Sequence, residues 1–310
     1  MIKEAPVIHV QELAVDYGKG KRAHRAVDGI SFEVASGECV GFIGANGAGK
    51  STTIKSLLGF LFPSSGSIDV FSEPAGSTRS RQRIGYLPEV ALYYPFMKAR
   101  ELLELYGGLQ GVSRRDLRNR IPEILDKVGL GGKENLLLKT FSKGMQQRLG
   151  IAQSLIARPE LLIFDELSSG LDPIGRFDLR DVLLELKQEG RTVFFSSHEL
   201  TEIESLCDRV LMVHRGRIVK DAPVSEIMKP LNRFEIVFAT NGSGIPADVE
   251  ALNPTQSGDR FELSVGDVEA YSRTLTALTQ GKCKILHANS RSVSLEEYFI
   301  DLVREKDSVT

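Results

Sequence analysis

Apolar and polar positions along the chain follow two periods, and the switches between them order the elements. Apolar runs of strand length recur at Cys39 to Ile43, Ile84 to Glu89, Glu160 to Glu166 and Arg191 to Ser196. Runs of this kind, bounded by turn residues, suit strands of a parallel sheet buried on both faces. Between them lie stretches of helical pattern: one starting at Thr52 to Leu58, then Lys98 to about Gln110, Arg114 to Val128, Ser142 to about Ala157, and from Asp172-Pro173 to about Gln188. Strand, helix and strand in turn predict an α/β fold. Two further strands come first, Val7 to Val15 and Val27 to Val34, separated by a turn at Asp16-Tyr17-Gly18 and a basic loop from Lys19 to Arg25. Pro63 to Ser67 turns into a short strand, Ile68 to Phe71, and a hairpin about Arg215-Gly216 closes the region.

The segment from roughly Val90 to Arg158 carries no strand pattern and reads as a helical insertion. Pro223 and Pro230 bracket a short helix, and the pattern changes after it. Strands at Phe234 to Ala239, Arg260 to Val265 and Cys283 to His287 alternate with helices at Asp267 to Leu278 and near the end of the chain. In that last helix Leu295, Tyr298, Phe299 and Leu302 form an apolar stripe. The order β-β-α-β-α predicts a small α+β domain over 229–310, after a larger domain over 1–228. It shows no catalytic constellation and reads as regulatory or for dimer contacts.

Composition narrows the function classes. The 310 residues carry a formal net charge of −2, which gives no electrostatic case for nucleic acid or acidic lipid. Cys39, Cys207 and Cys283 are odd in number and lack C-x-x-C spacing, so neither a disulfide framework nor a zinc site is expected. Leu57 to Phe62 is among the longest apolar runs, far short of the roughly 18–20 residues that span a bilayer. Lys3, Glu4 and Pro6 interrupt any signal-peptide core. The expectation is a cytosolic chain; at a membrane, another polypeptide would supply the spans.

The candidate chemistry centres on Gly44-Ala45-Asn46-Gly47-Ala48-Gly49-Lys50-Ser51-Thr52, which matches G-x-x-x-x-G-K-[ST] at every fixed position. A strand feeding a glycine-rich turn that opens a helix aims backbone N–H groups and a positive helix end at one point, an anion site. Lys50 is expected to reach the outer phosphates, and the Ser51 hydroxyl to hold a bridging Mg²⁺. The run ending in Asp165 and Glu166 delivers two carboxylates to the C-terminal edge of the sheet, where open α/β sheets place their sites. Asp165 suits Mg²⁺, directly or through water. Glu166, pointing the other way by strand alternation, suits orienting or deprotonating an attacking water. His198, just past the next strand, can bond a terminal phosphate or simply sit at a surface. Tyr17 is a candidate to stack on a base, or an ordinary half-buried aromatic.

These residues together resemble the ATPase subunit of an ATP-binding cassette (ABC) transporter, over about Val7 to Lys220. The discriminating stretch is Phe141-Ser142-Lys143-Gly144-Met145-Gln146-Gln147-Arg148, similar to the family signature L-S-G-G-Q-x-Q-R. The resemblance implies the ABC ATPase form of the P-loop NTPase fold, with a helical subdomain over about 90–158. It implies ATP and Mg²⁺ as ligands. It implies a dimer, of two copies of this chain or of this chain with a related subunit, in which Ser142 and Gly144 of one subunit meet the ATP held by Gly44, Asn46, Gly47, Gly49, Lys50, Ser51 and Thr52 of the other. Tyr17 then matches the base-stacking aromatic, Asp165 and Glu166 the magnesium acid and catalytic glutamate, His198 the γ-phosphate histidine, and Ser169 to Asp172 the loop linking the sites. Glu89 stands where a Mg²⁺-reaching glutamine is usual, Lys143 and Met145 where Gly and Gln are usual, and Leu167-Ser168 where Pro-Thr is usual. The partner implied is a separate transmembrane permease at the cytoplasmic side of a membrane, with no nucleic acid. The variants Tyr-Leu-Pro-Glu and Ser-Lys-Gly-Met with an added C-terminal domain resemble the drug- and antibiotic-export branch of the daunorubicin-resistance type. A soluble ABC ATPase acting on ribosomes or DNA is the alternative, against which stand the single phosphate loop and the lack of sustained heptads.

Overall fold

A computed structural model describes residues 5–18, 24–167, 171, 173–197, 199–228, 230–240, 244–292 and 294–308. The chain divides into two compact units, Met1–Val224 and Ser225–Thr310.

In the first unit the strands are β1 (Ile8–Tyr17), β2 (His24–Val34), β3 (Cys39–Gly44), β4 (Ser65–Val70), β5 (Glu73–Pro74), β6 (Ile84–Leu87), β7 (Leu161–Phe164), β8 (Thr192–Ser196), β9 (Arg209–His214) and β10 (Arg217–Pro223). They form an antiparallel sheet in the order β2-β1-β4-β5 and a six-stranded sheet in the order β10-β9-β3-β8-β7-β6. Within the latter, β9, β3, β8, β7 and β6 run parallel and only β10 is antiparallel to its neighbour. The fully buried faces explain why β3, β7 and β8 read as unbroken apolar runs.

One core joins the two sheets, with Phe32 of β2 packed against Phe42 of β3 and Phe194 of β8 at centroid distances of 6.2 and 5.8 Å. Such aromatic pairs add about 0.5–1.5 kcal/mol each beyond their burial. The helix Lys50–Leu57 inserts Ile54 and Leu57 into the same core. Between β6 and β7 the described residues form helices at Ala99–Leu109, Arg114–Lys127 and Lys143–Leu155, packed through buried Leu102, Leu103, Leu117, Ile121, Leu149 and Ile151. Helix Arg114–Lys127 runs through Pro122, whose outward-facing position lets water satisfy the carbonyl left without an N–H partner. The Cys39 thiol donates to the Cys207 sulfur at 4.0 Å, both buried and with no disulfide between them, and burial holds the Cys207 thiol well above its ordinary pKa.

The second unit holds β11 (Pro230–Ala239), β12 (Thr255–Ser257), β13 (Arg260–Val265) and β14 (Lys284–Ser292), antiparallel in the order β12-β13-β11-β14. Phe238, Ile236, Leu263 and Val265 point to one face and meet Leu278 of the helix Val268–Gln280. Asp267 caps that helix, its carboxylate accepting the Ala270 N–H at 2.7 Å. A helix at Leu295–Ser308 ends the described chain.

Several expectations need correction. Strand β1 continues through Asp16 and Tyr17, because Arg25 on β2 grips the Asp16 carboxylate at 2.8 Å across the pair and extends the ladder; the same contact lowers the Asp16 pKa. His24 and Arg25 therefore belong to β2, not to a loop. The second unit also contains the helix Ala247–Glu250 and strand β12, both too short to register as periodic patterns. Strand β14 runs on to Ser292.

Candidate functional site

The parallel strands end on one edge, and there β3 passes into the glycine-rich loop. A Cβ on Gly44 would lie 2.4 Å from the Val213 carbonyl oxygen, so β9 leaves room for glycine only. Gly49 adopts φ 105° and precedes the helix Lys50–Leu57; a Cβ there would lie 2.6 Å from the Ala26 carbonyl oxygen. The loop is also braced from behind: the Gly216 N–H donates to the Ala48 carbonyl at 3.0 Å, and the Asp28 N–H donates to the Gly216 carbonyl at 2.8 Å.

This loop forms the floor of a cavity of about 520 Å³ lined by Tyr17, His24, Ala26, Ala45, Asn46, Gly47, Gly49, Lys50, Ser51, Thr52, Glu89 and Glu166. The Lys50 ammonium donates to the Gly44 carbonyl at 2.7 Å and lies 3.3 Å from the Glu166 carboxylate. Both side chains are nearly inaccessible, at 6% and 10%. The Ser51 hydroxyl donates to Asp165 Oδ1 at 3.2 Å. The Tyr17 hydroxyl is 3.3 Å from Thr52 Oγ1, and the residue is 42% exposed.

Asp165 and Glu166 do not point to opposite sides. The strand ends at Phe164, and Glu166 adopts φ 51°, so the alternation of an extended chain no longer applies. Asp165 turns to Ser51 while Glu166 turns to Lys50. Tyr86, beside them on β6, has its hydroxyl pushed up to about 12 by burial and by the Asp165 charge.

Ser142 and Gly144 are elsewhere. Ser142 caps the helix Lys143–Leu155, accepting the Met145 N–H at 3.2 Å, and Gly144 lies against Leu171. Neither lines the cavity of its own chain. His198, Ser169, Gly170 and Asp172 lie outside the described residues.

Two groups of site residues escaped the sequence. His24 and Ala26 join the cavity wall because β1 and β2 pair with Tyr17 opposite His24, a register that no local signal announces. Ser196 is the other: its hydroxyl, fully buried, donates to Asp165 Oδ1 at 2.8 Å and accepts the Glu166 N–H at 3.0 Å. The rule that sites gather at strand C-termini marks its position but not its residue type.

A divalent cation fits these donors. A hydroxyl and a carboxylate meet at Ser51 and Asp165, and Glu89 also lines the cavity, all hard oxygen ligands. Among the described residues no cluster of three His, Cys, Asp or Glu could cage a metal by itself. Mg²⁺ uses few protein ligands and completes its shell with phosphate and water, so that sparse set suits it.

A phosphate loop after one parallel strand and paired acids after another define a P-loop nucleoside triphosphatase. Known proteins place it further. A family model described as ABC transporter matches residues 27–169. The chain is 40% identical to the bacitracin transport ATP-binding protein of Bacillus licheniformis, over 96% of this chain and 97% of that protein. It is 36% identical to an ABC transporter ATP-binding protein of Synechocystis, over 99% of this chain and 87% of that one. A solved ATP-binding subunit of an ABC transporter superposes with a TM-score of 0.64 at 30% identity, covering 72% of this chain and 92% of the other. The chain belongs to the ATP-binding proteins of ABC transporters. It binds and hydrolyses ATP as the motor subunit of such a transporter.

Proposed function

We propose that two copies of this chain, bound to a separate transmembrane permease at the cytoplasmic face of a membrane, drive export by closing on ATP and reopening after hydrolysis. Export is supported by relatives named for bacitracin transport and, at 31% identity over 97% of this chain, for Nod factor export in Ralstonia nicotianae. No described helix is long and apolar enough to cross a membrane, so a permease would be a separate polypeptide or lie outside this chain.

The observation that carries the permease is the segment beginning at Glu89. Glu89 lines the nucleotide cavity, and the residues after it expose Val90, Leu92, Tyr94 and Phe96 at 65%, 88%, 57% and 71%. A run of large apolar side chains held in water beside an active site marks a surface made for a partner. A hollow of about 760 Å³ follows on the helix Ala99–Leu109, lined in part by Leu105, Leu109 and Arg100. The cavity and the exposed apolar run share one stretch of backbone, a route by which changes at the nucleotide would reach a docked permease.

In this reading the amides of residues 46–52 and the Lys50 ammonium hold the phosphates, Ser51, Asp165 and Glu89 would hold Mg²⁺, and Glu166 takes the proton of the attacking water. Mg²⁺ supplies neutralisation of charge on the phosphate oxygens. Ser142 and Gly144 of the second copy close over the terminal phosphate with a helix N-terminus, and His198 bonds it. Tyr17 stacks on the base. Tyr17→Ala is expected to weaken ATP binding by about 1–3 kcal/mol with little change in kcat, measured by fluorescent-ATP titration; unchanged affinity would remove Tyr17 from the site.

The complex is tested by capturing tagged Glu166→Gln chain with ATP from detergent-solubilised native membranes, followed by mass spectrometry. Recovery of a polytopic membrane protein is expected. Recovery of ribosomal or DNA-bound proteins alone would overturn the permease.

A further inference from the structure

One buried oxygen connects both acids of the site. Ser196, the last residue of β8, is fully inaccessible to solvent. Its hydroxyl has a single proton, and that proton goes to Asp165 Oδ1 at 2.8 Å. A lone pair then remains for the Glu166 N–H, at 3.0 Å. The oxygen of Asp165 that Ser196 contacts is also the one that accepts from Ser51, at 3.2 Å. Glu166 sits at φ 51°, a left-handed conformation that a non-glycine residue keeps only where the surroundings fix it. That turn is what brings the Glu166 carboxylate to Lys50, 3.3 Å away, on the cavity wall.

We propose that Ser196 is the positioning residue for both acids. It turns the Asp165 carboxylate toward Ser51, and it holds the backbone turn that aims Glu166 into the cavity. The inference rests on the roles given above to Asp165 and Glu166, and it adds a residue that touches neither nucleotide nor water. Without the hydroxyl, Asp165 loses a donor and the Glu166 N–H loses a buried acceptor. The peptide between the two acids is then free to relax toward extended geometry, in which successive side chains diverge. Alanine at position 196 therefore costs the site its aim and leaves the phosphate-binding loop unchanged.

The purified chain provides the test. Steady-state ATP hydrolysis is measured for wild type, Ser196→Ala, Ser196→Thr and Glu166→Gln, alongside fluorescent-ATP titrations with Mg²⁺ and with a chelator. Outer-shell partners of this kind are worth about 10–100-fold. Ser196→Ala is expected to lower kcat by that factor with nucleotide affinity in the chelator unchanged, and to shrink the gain in affinity that Mg²⁺ confers. Ser196→Thr, which keeps the hydroxyl, is expected to restore both. Wild-type kcat and Mg²⁺ gain in Ser196→Ala, with Glu166→Gln inactive, would overturn the positioning role and leave the site reading standing. Wild-type turnover in Glu166→Gln would overturn both. Should Ser196→Ala fail to fold by circular dichroism, Ser196→Cys, with a weak donor of similar size, is judged by the same criteria.

Discussion

Glu166→Gln is expected to bind ATP with wild-type affinity and to lose about 10²–10⁴ in kcat, the range a positioned general base contributes. The amide fits the same space, and its carbonyl oxygen still accepts from the Lys50 ammonium, now 3.3 Å from the carboxylate. The backbone turn at φ 51° is held through the residue's own N–H, which donates to Ser196 and is untouched by the change. Only the ability to take a proton disappears. Phosphate release in the steady state, measured beside a nucleotide titration, separates the two effects. Turnover near wild type would sink the assignment of Glu166 as the base.

Lys50→Ala is expected to do the reverse and more. The phosphate-binding ammonium goes, so fluorescent ATP should no longer titrate. The Glu166 carboxylate, 10% exposed, also loses the Lys50 ammonium, and the Gly44 carbonyl loses a donor at 2.7 Å. Breaking a buried pair by removing one partner costs about 3–5 kcal/mol, so the melting temperature should fall as well. A melting temperature unmoved by Lys50→Ala would mean that the pair is no part of the nucleotide-free chain.

The elements most legible in the sequence are those whose signals are local. Continuous apolar runs at β3, β7 and β8 mark buried parallel strands, and the spacing Gly44, Gly49, Lys50, Ser51 carries its own geometry. Asp165 and Glu166 follow from standing at the end of such a run. What escaped depends on register or on turns. His24 reaches the cavity only through its pairing opposite Tyr17, and β1 outlasts its own apolar pattern because a cross-strand ion pair, Asp16 with Arg25, extends it. Glu166 defeats the alternation rule because one left-handed residue reverses the direction of its side chain. Ser196 is silent because a serine at a strand end becomes informative only once its neighbours in the sheet are known. The short elements Ala247–Glu250 and β12 lack the length to display a period at all.

The order of the strands in the six-stranded sheet bears on how the chain is made. β3 is complete by Gly44, yet its partners in that sheet are β8, at Thr192–Ser196, and β9, at Arg209–His214. The turn that braces the loop from behind, at Gly216, is later still. During synthesis on the ribosome the phosphate loop therefore emerges first and waits for most of the unit before it has a wall on either side. Contacts so distant in sequence are slow to form, because the intervening chain must be closed into a loop before they contribute. Nucleotide can assist only the last stage of folding, after the final hairpin has left the exit tunnel, and a nascent chain stopped short of β9 should present its most recognisable motif without the ability to use it.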